Sequence, residues 1–296
     1  MLGLPLRYSE PVFRPPSEAD SLILQLTLGC SWNRCTFCAM YRTKEFRVRP
    51  LDEVLAEIRD VAPTMTGVRR VFLADGDALA APREVLEVVL REIRARIPSV
   101  LRVGIYGDSR SILRSGVEGL RALSDLGLGI VYFGVESGDQ ETLRAVRKGA
   151  TRERQLEACQ VVRSAGLKLS VMVLLGLAGV AGSERHARAT GRFLVEAAPT
   201  YSAALTVTPV PGTELHEAVA SGRLELPDRW GMVQELEWML QAMEGYRGPF
   251  HANHASNYVP LKLRLPRDRE AAIAGLRAVL AARDESLLRP EWARGL

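Results

Sequence analysis

Short runs of consecutive apolar residues, rich in Val, Ile and Leu, alternate along the first two-thirds of the chain with longer stretches in which apolar positions recur every three or four residues. The runs at 22–28, 70–74, 101–106, 130–135, 168–174 and 203–208 read as strands buried on both faces. Helical spacing at 51–61, 82–96, 116–126, 140–165 with a break at Gly149, and 183–197 fills the gaps between them. This is a β/α series on a parallel sheet. A closed eight-unit barrel takes about 250 residues, and the six units here use only about the first two hundred. The pattern predicts an α/β fold, a partial (β/α)6 TIM-like barrel, with a doubly wound open sheet as the alternative. After Pro211 the alternation stops, and helical stretches at 229–243 and 267–282 flank the polar segment PFHANHASNYVP. The expected organisation is an N-terminal arm over 1–21, a core barrel over 22–215, and a C-terminal helical cap and substrate region over 216–296.

Composition agrees with a globular chain: 296 residues, 47% hydrophobic and 25% charged. The longest apolar runs fall short of the ~20 residues of a membrane span. The opening MLGLPLRYSEPVFRPPSEAD lacks a basic region followed by an apolar one, and its prolines suit an extended arm better than a signal peptide. A cytoplasmic location is expected, with no membrane partner. The net charge of +4 is spread without a long block of one sign, which permits nucleic-acid binding and does not indicate it. The basic stretch Arg42, Lys44, Arg47 and Arg49 reads as packing or solvating beside the loop described next, in preference to contacting RNA.

Three of the four cysteines fall within nine positions, as Cys30-x4-Cys35-x2-Cys38 in LTLGCSWNRCTFCAMYR, directly after the first predicted strand. In a reducing compartment this density points to metal or redox chemistry and away from disulfides. Three thiolates on one loop suit a 4Fe-4S cube with one iron left open. Structural zinc requires four closed ligands, and the four histidines lie far along the chain. A plant-type ferredoxin requires a fourth cysteine, and Cys159 sits on an amphipathic helix where a thiol reads as a small buried hydrophobe. Three unrelated thiols remain the plainest alternative. A nucleotide-binding oxidoreductase would use the turn Gly176-x2-Gly179-x2-Gly182, which lacks the GxGxxG fingerprint.

From about residue 22 to 215 the chain resembles the radical S-adenosylmethionine (SAM) superfamily. Phe37 matches the aromatic residue before the last cysteine of that family's motif, and the first gap is one residue longer than usual. Further similarities follow the ends of successive predicted strands. Asp75-Gly76-Asp77 resembles the motif that meets the SAM amino group, and Tyr106 with Ser109 stands where the ribose is contacted. In YFGVESGDQETLRAVRKGAT, the resemblance places Glu136 and Ser137 near the ribose or sulfonium and Lys148 on the SAM carboxylate. Leu175, Gly176 and Leu177 resemble the adenine-contacting turn, and TPVPGTEL is similar to the barrel end of methylthiotransferases and oxygen-independent coproporphyrinogen oxidases.

The resemblance implies two cofactors, a 4Fe-4S cluster on Cys30, Cys35 and Cys38 and SAM. It also implies reductive cleavage of SAM to a 5'-deoxyadenosyl radical that takes hydrogen from a small-molecule substrate, and an electron donor such as flavodoxin or ferredoxin. An iron–sulfur electron-transfer protein that leaves SAM alone is the alternative. With three of four cysteines committed, no second cluster is expected. The density of hydrogen-bonding groups in the polar segment nominates His251, Asn253, His254, Asn257 and Tyr258 as substrate contacts; the bland reading is a polar loop joining two helices.

Overall fold

The computed structural model describes residues 6–295. In chain order its strands are β1 (Leu22–Gln25), β2 (Thr27–Leu28), β3 (Arg47–Val48), β4 (Arg70–Ala74), β5 (Arg102–Tyr106), β6 (Leu128–Glu136), β7 (Lys168–Leu175), β8 (Tyr201–Thr206), β9 (Gly248–His251) and β10 (Lys262–Leu265). The helices are α1 (Leu51–Val61), α2 (Arg83–Arg96), α3 (Ser109–Asp125), α4 (Gln140–Ala145), α5 (Arg152–Ser164), α6 (Gly179–Ala197), α7 (Glu214–Ala220), α8 (Arg229–Gln241) and α9 (Arg269–Ala282). The fold is α/β, built on a mostly parallel sheet of eight strands.

The chain forms two compact units. The first comprises residues up to 33, 40–133 and 160–169. In it β1, β4, β5 and the first part of β6 pair in that order, all parallel. Leu24, Val71, Phe72, Leu73 and Ile105 are fully buried, each worth roughly 1.5–3 kcal/mol of transfer free energy. The first predicted strand divides here. Leu26 N donates to Ala74 O at 2.7 Å while Leu26 O accepts from Arg49 N at 3.0 Å, and the next two residues pair antiparallel with β3. Two members of the basic stretch are drawn inside: Lys44 pairs with Asp75 at 2.9 Å and Arg49 with Glu57 at 2.7 Å. The N-terminal arm is tied down by Ser9 N to Gln25 Oε1 at 2.8 Å and by Lys44 Nζ to Pro11 O at 2.6 Å.

The second unit comprises residues 34–39, 134–159 and 170 onward. Here β7 pairs with β8 and β8 with β9, both parallel, and β10 closes the series antiparallel to β9. The expected halt of strands after Pro211 is therefore corrected. Beside helices α7, α8 and α9, the tail supplies two strands, one taken from the polar segment read as a joining loop. α8 buries Met232, Leu236, Met239 and Leu240, and α6 buries Phe193 and Leu194. The break at Gly149, where φ is +81°, separates α4 from α5 as the sequence predicts.

Candidate functional site

In the first unit the chain turns at Gly29, whose φ of +74° suits glycine, and Cys30 follows. Gly29 O accepts from Gly76 N at 3.1 Å. A Cβ on Gly76 would stand 3.0 Å from Cys30 Cβ and 2.6 Å from the Tyr41 ring. The thiol loop and the loop after β4 thus meet at a distance that only glycine allows.

The flanking carboxylates do not present themselves outward. Asp75 is fully buried, and its Oδ2 accepts from Gln25 Nε2 at 2.9 Å, Gly29 N at 3.2 Å and Lys44 Nζ at 2.9 Å. Its Oδ1 is buried without a hydrogen-bond partner. Burial raises the Asp75 pKa and Lys44 opposes the rise. Asp77, also buried, accepts from Ser111 Oγ at 2.7 Å, from Asp108 N at 3.2 Å and from Ser31 Oγ. Burial and then the charge of Asp108 push its pKa up to about 6. Asp108 caps α3 by accepting from Arg110 N at 2.8 Å and Ser111 N at 3.3 Å, which starts that helix at a buried Ser109, ahead of the residue expected. Arg110 stacks 4.4 Å from the centre of the Trp32 ring. Tyr106 is half-buried, its ring edge-on to Phe72 at 4.9 Å and to Tyr132 at 6.2 Å.

In the second unit Cys35 and Cys38 lie on one tight turn, with Cys38 N donating to Cys35 O at 3.3 Å. Thr36 between them donates to Val146 O and accepts from Leu215 N, both at 3.0 Å. Phe37 packs against the cluster of Val146, Leu177, Val207 and Leu215, so the aromatic of the cysteine motif rests on the residue after Gly176. Glu136 adopts φ of +66°, strained for a residue with a Cβ. Its carboxylate folds back over Gly134, where a Cβ would lie 2.3 Å from Oε1, and meets Lys148 Nζ at 3.1 Å.

Ser137 is fully buried, its Oγ lying 2.8 Å from His186 Nδ1 and accepting from Asp139 N at 2.9 Å, so its hydroxyl is met within the protein. Leu175 is buried and Gly176, at φ +81°, turns the chain out of β7.

Among the described residues, Cys30, Cys35 and Cys38 are half-exposed thiols, Cys159 is fully buried on α5, and none of the four is in a disulfide. No three His, Cys, Asp or Glu side chains among those residues converge on a single-ion position. A cube binds each thiolate to a different iron, so its ligands stand further apart than the ligands of one ion. The three thiols are each accessible and free of disulfides, and the glycine at 76 leaves room beside Cys30, which is the chemistry an iron–sulfur cluster asks of its ligands.

The polar segment of the tail divides by burial. His251 on β9 and Asn253 are exposed, and the charge of Lys262 opposite adds to burial in lowering the His251 pKa. His254 Nδ1 lies 2.9 Å from Ser256 Oγ; burial and Arg289 lower its pKa. Tyr258 donates to Glu291 at 2.7 Å beneath the Arg294 guanidinium, and burial pushes its pKa up to about 12. Asn257 is buried; its amide donates to Ala204 O and Ala252 O and accepts from Thr206 Oγ1, each at 2.8 Å, so both of its donors are taken within the protein. Sequence reasoning missed His186 and Glu235, both fully buried. For Glu235 the signal was present: it falls three residues after Met232 and four before Met239, on the apolar stripe of α8.

Parallel β/α units with glycine turns and a thiol loop beyond the carboxyl ends of their strands define an α/β enzyme core of the partial-barrel class. The profile of the radical SAM superfamily matches residues 24–187, and the chain belongs to that superfamily. It is 28% identical over 182 residues to the tRNA-2-methylthio-N(6)-dimethylallyladenosine synthase of Halorhodospira halophila, covering 58% of this chain and 37% of that one. Its fold is similar to that of Escherichia coli coproporphyrinogen III oxidase, a radical SAM enzyme, with a TM-score of 0.57 at 18% identity over 75% of this chain and 50% of the other. A radical SAM methyltransferase of Kitasatospora setae, solved with cobalamin and a [4Fe-4S] cluster, matches with a TM-score of 0.56 at 20% identity, over 68% and 39%. The chain spans 36 to 44% of the length of the first curated relatives it matches. Among the described residues no helix is long and apolar enough to cross a membrane.

Proposed function

We propose that this chain is a radical SAM enzyme acting on a small molecule, with Cys30, Cys35 and Cys38 as the ligands of a 4Fe-4S cluster. The observation that carries the reading is the set of three half-exposed thiols on the loop after the first strand, inside the stretch that the family profile matches. When bound and reduced, the cluster supplies the electron that splits SAM into methionine and a 5'-deoxyadenosyl radical.

The chain's own part is to bind, orient and exclude water. Phe37 and Trp32 shield the cluster loop. The loop of Asp75, Gly76 and Asp77 offers backbone beside Cys30, and the buried Oδ1 of Asp75, which has no hydrogen-bond partner, is left to accept from an ammonium. Lys148, poised on Glu136, exchanges that partner for the SAM carboxylate, and Tyr106 and Ser109 flank the ribose. The turn Leu175-Gly176-Leu177 receives the adenine. The core over 22–215 carries the cofactors, and in the tail from 216 His251, Asn253, His254 and Tyr258 meet the substrate. The protein works in the cytoplasm and takes its electron from a flavodoxin or ferredoxin.

The test is anaerobic reconstitution with iron and sulfide, reduction, addition of SAM and mass spectrometry for 5'-deoxyadenosine. Its appearance in the wild type and its loss in Cys35→Ala are expected. A protein that holds the cluster and neither binds nor cleaves SAM would instead be an electron carrier.

A further inference from the structure

Two carboxylates are buried among the apolar residues of α8, Glu235 and Glu237, and Glu235 is fully enclosed. A buried carboxylate persists only with partners. Its Oε1 accepts from Gly176 N at 2.7 Å, its Oε2 accepts from Ser183 Oγ, and His186 Nε2 lies 3.4 Å from Oε1. His186 is itself held at 2.8 Å by Leu174 O and at 2.8 Å by Ser137 Oγ. One turn before Glu235, Met232 places its Sδ 2.7 Å and its Cε 2.3 Å from where a Cβ on Gly176 would stand. Two side chains from one turn of α8 therefore hold a single peptide: Met232 fills the place of the missing side chain, and Glu235 fixes the N–H.

We propose that Glu235 is a positioning residue for SAM, holding the Gly176 N–H so that the turn Leu175-Gly176-Leu177 keeps the shape that receives the adenine, without itself touching the cofactor. This rests on the reading of that turn as the adenine contact. A charge-assisted N–H to carboxylate bond is stronger than a neutral one, and glutamine can still accept from Gly176 N while its NH2 faces Ser183 Oγ. Ser183 binds the other oxygen of Glu235 and makes no bond to the turn, which makes Ser183→Ala the control for general loosening of the network.

Wild type, E235A, E235Q and S183A are compared in two measurements. One is hydrogen–deuterium exchange of the peptide containing Gly176 in protein without SAM; the other is the Kd for SAM by equilibrium dialysis of the reconstituted protein. In E235A the Gly176 amide exchanges about tenfold faster and the Kd rises about tenfold, the scale of one lost hydrogen bond, with iron content unchanged. E235Q restores both, and S183A moves neither. Unchanged exchange or unchanged Kd in E235A overturns the proposal, as does an equal loss in S183A. Should E235A fail to fold, E235D, which withdraws the same charge by one methylene, carries both measurements with the same expected outcome. Wild-type protein that does not bind SAM sinks the proposed function; wild-type binding with E235A indifferent sinks only the role of Glu235.

Discussion

At Asp77 the cost of removing a carboxylate from water outweighs the three hydrogen bonds that favour its charged form. Because the folded pKa, about 6, stands above the ordinary 3.8, this residue favours folding below about pH 4, and that contribution is lost as pH rises towards 6. Two pH units correspond to about 3 kcal/mol. Asp77→Asn keeps the shape and removes the titration. Its stability relative to wild type, followed by urea unfolding, is expected to rise between pH 4 and pH 7 by up to that amount; a flat difference refutes the assignment. The reading of Cys30, Cys35, Phe37 and Cys38 as a cluster loop rests on their spacing, which a sequence displays directly. The burial of Ser137 and Asn257 was not legible, because a hydroxyl or amide bonded by its own protein looks, in a sequence, the same as one waiting for a ligand.

Elements were legible where they were long. The six strands of the β/α series and the helices between them carry continuous apolar or helical patterns and appear near where the pattern puts them, except that the first strand divides after Gln25 and α3 starts seven residues early, at Ser109. β9 reads GPFH, and a glycine followed by a proline signals a turn; only its pairing with Ser202 and Ala203 of β8 makes it a strand. β10, KLRL, alternates charge with leucine in the manner of an edge strand. Asn257 joins β8 to this added part of the sheet through Thr206, Ala204 and Ala252. Asn257→Ala strands two carbonyls and a hydroxyl, and an unmet buried polar group costs about 1–3 kcal/mol. A fall in denaturant midpoint with undiminished iron binding is the expected result, whereas loss of turnover at full stability would return Asn257 to the substrate.

For the whole molecule, a boundary drawn at 215 cuts β8 from β9 and removes the helix turn that clamps Gly176. A chain ending at 215 is expected to expose the edge of β8 and to be recovered as aggregate, as judged by solubility and circular dichroism; a soluble, cooperatively unfolding product would show that the core stands alone. The four thiols carry a further consequence. Three are half-exposed and Cys159 is wholly enclosed, so in cluster-free protein a colourless disulfide reagent should count three equivalents at once and the last only as fast as α5 is uncovered. The fourth thiol is thus a built-in clock for opening of the fold, readable without any label or cofactor.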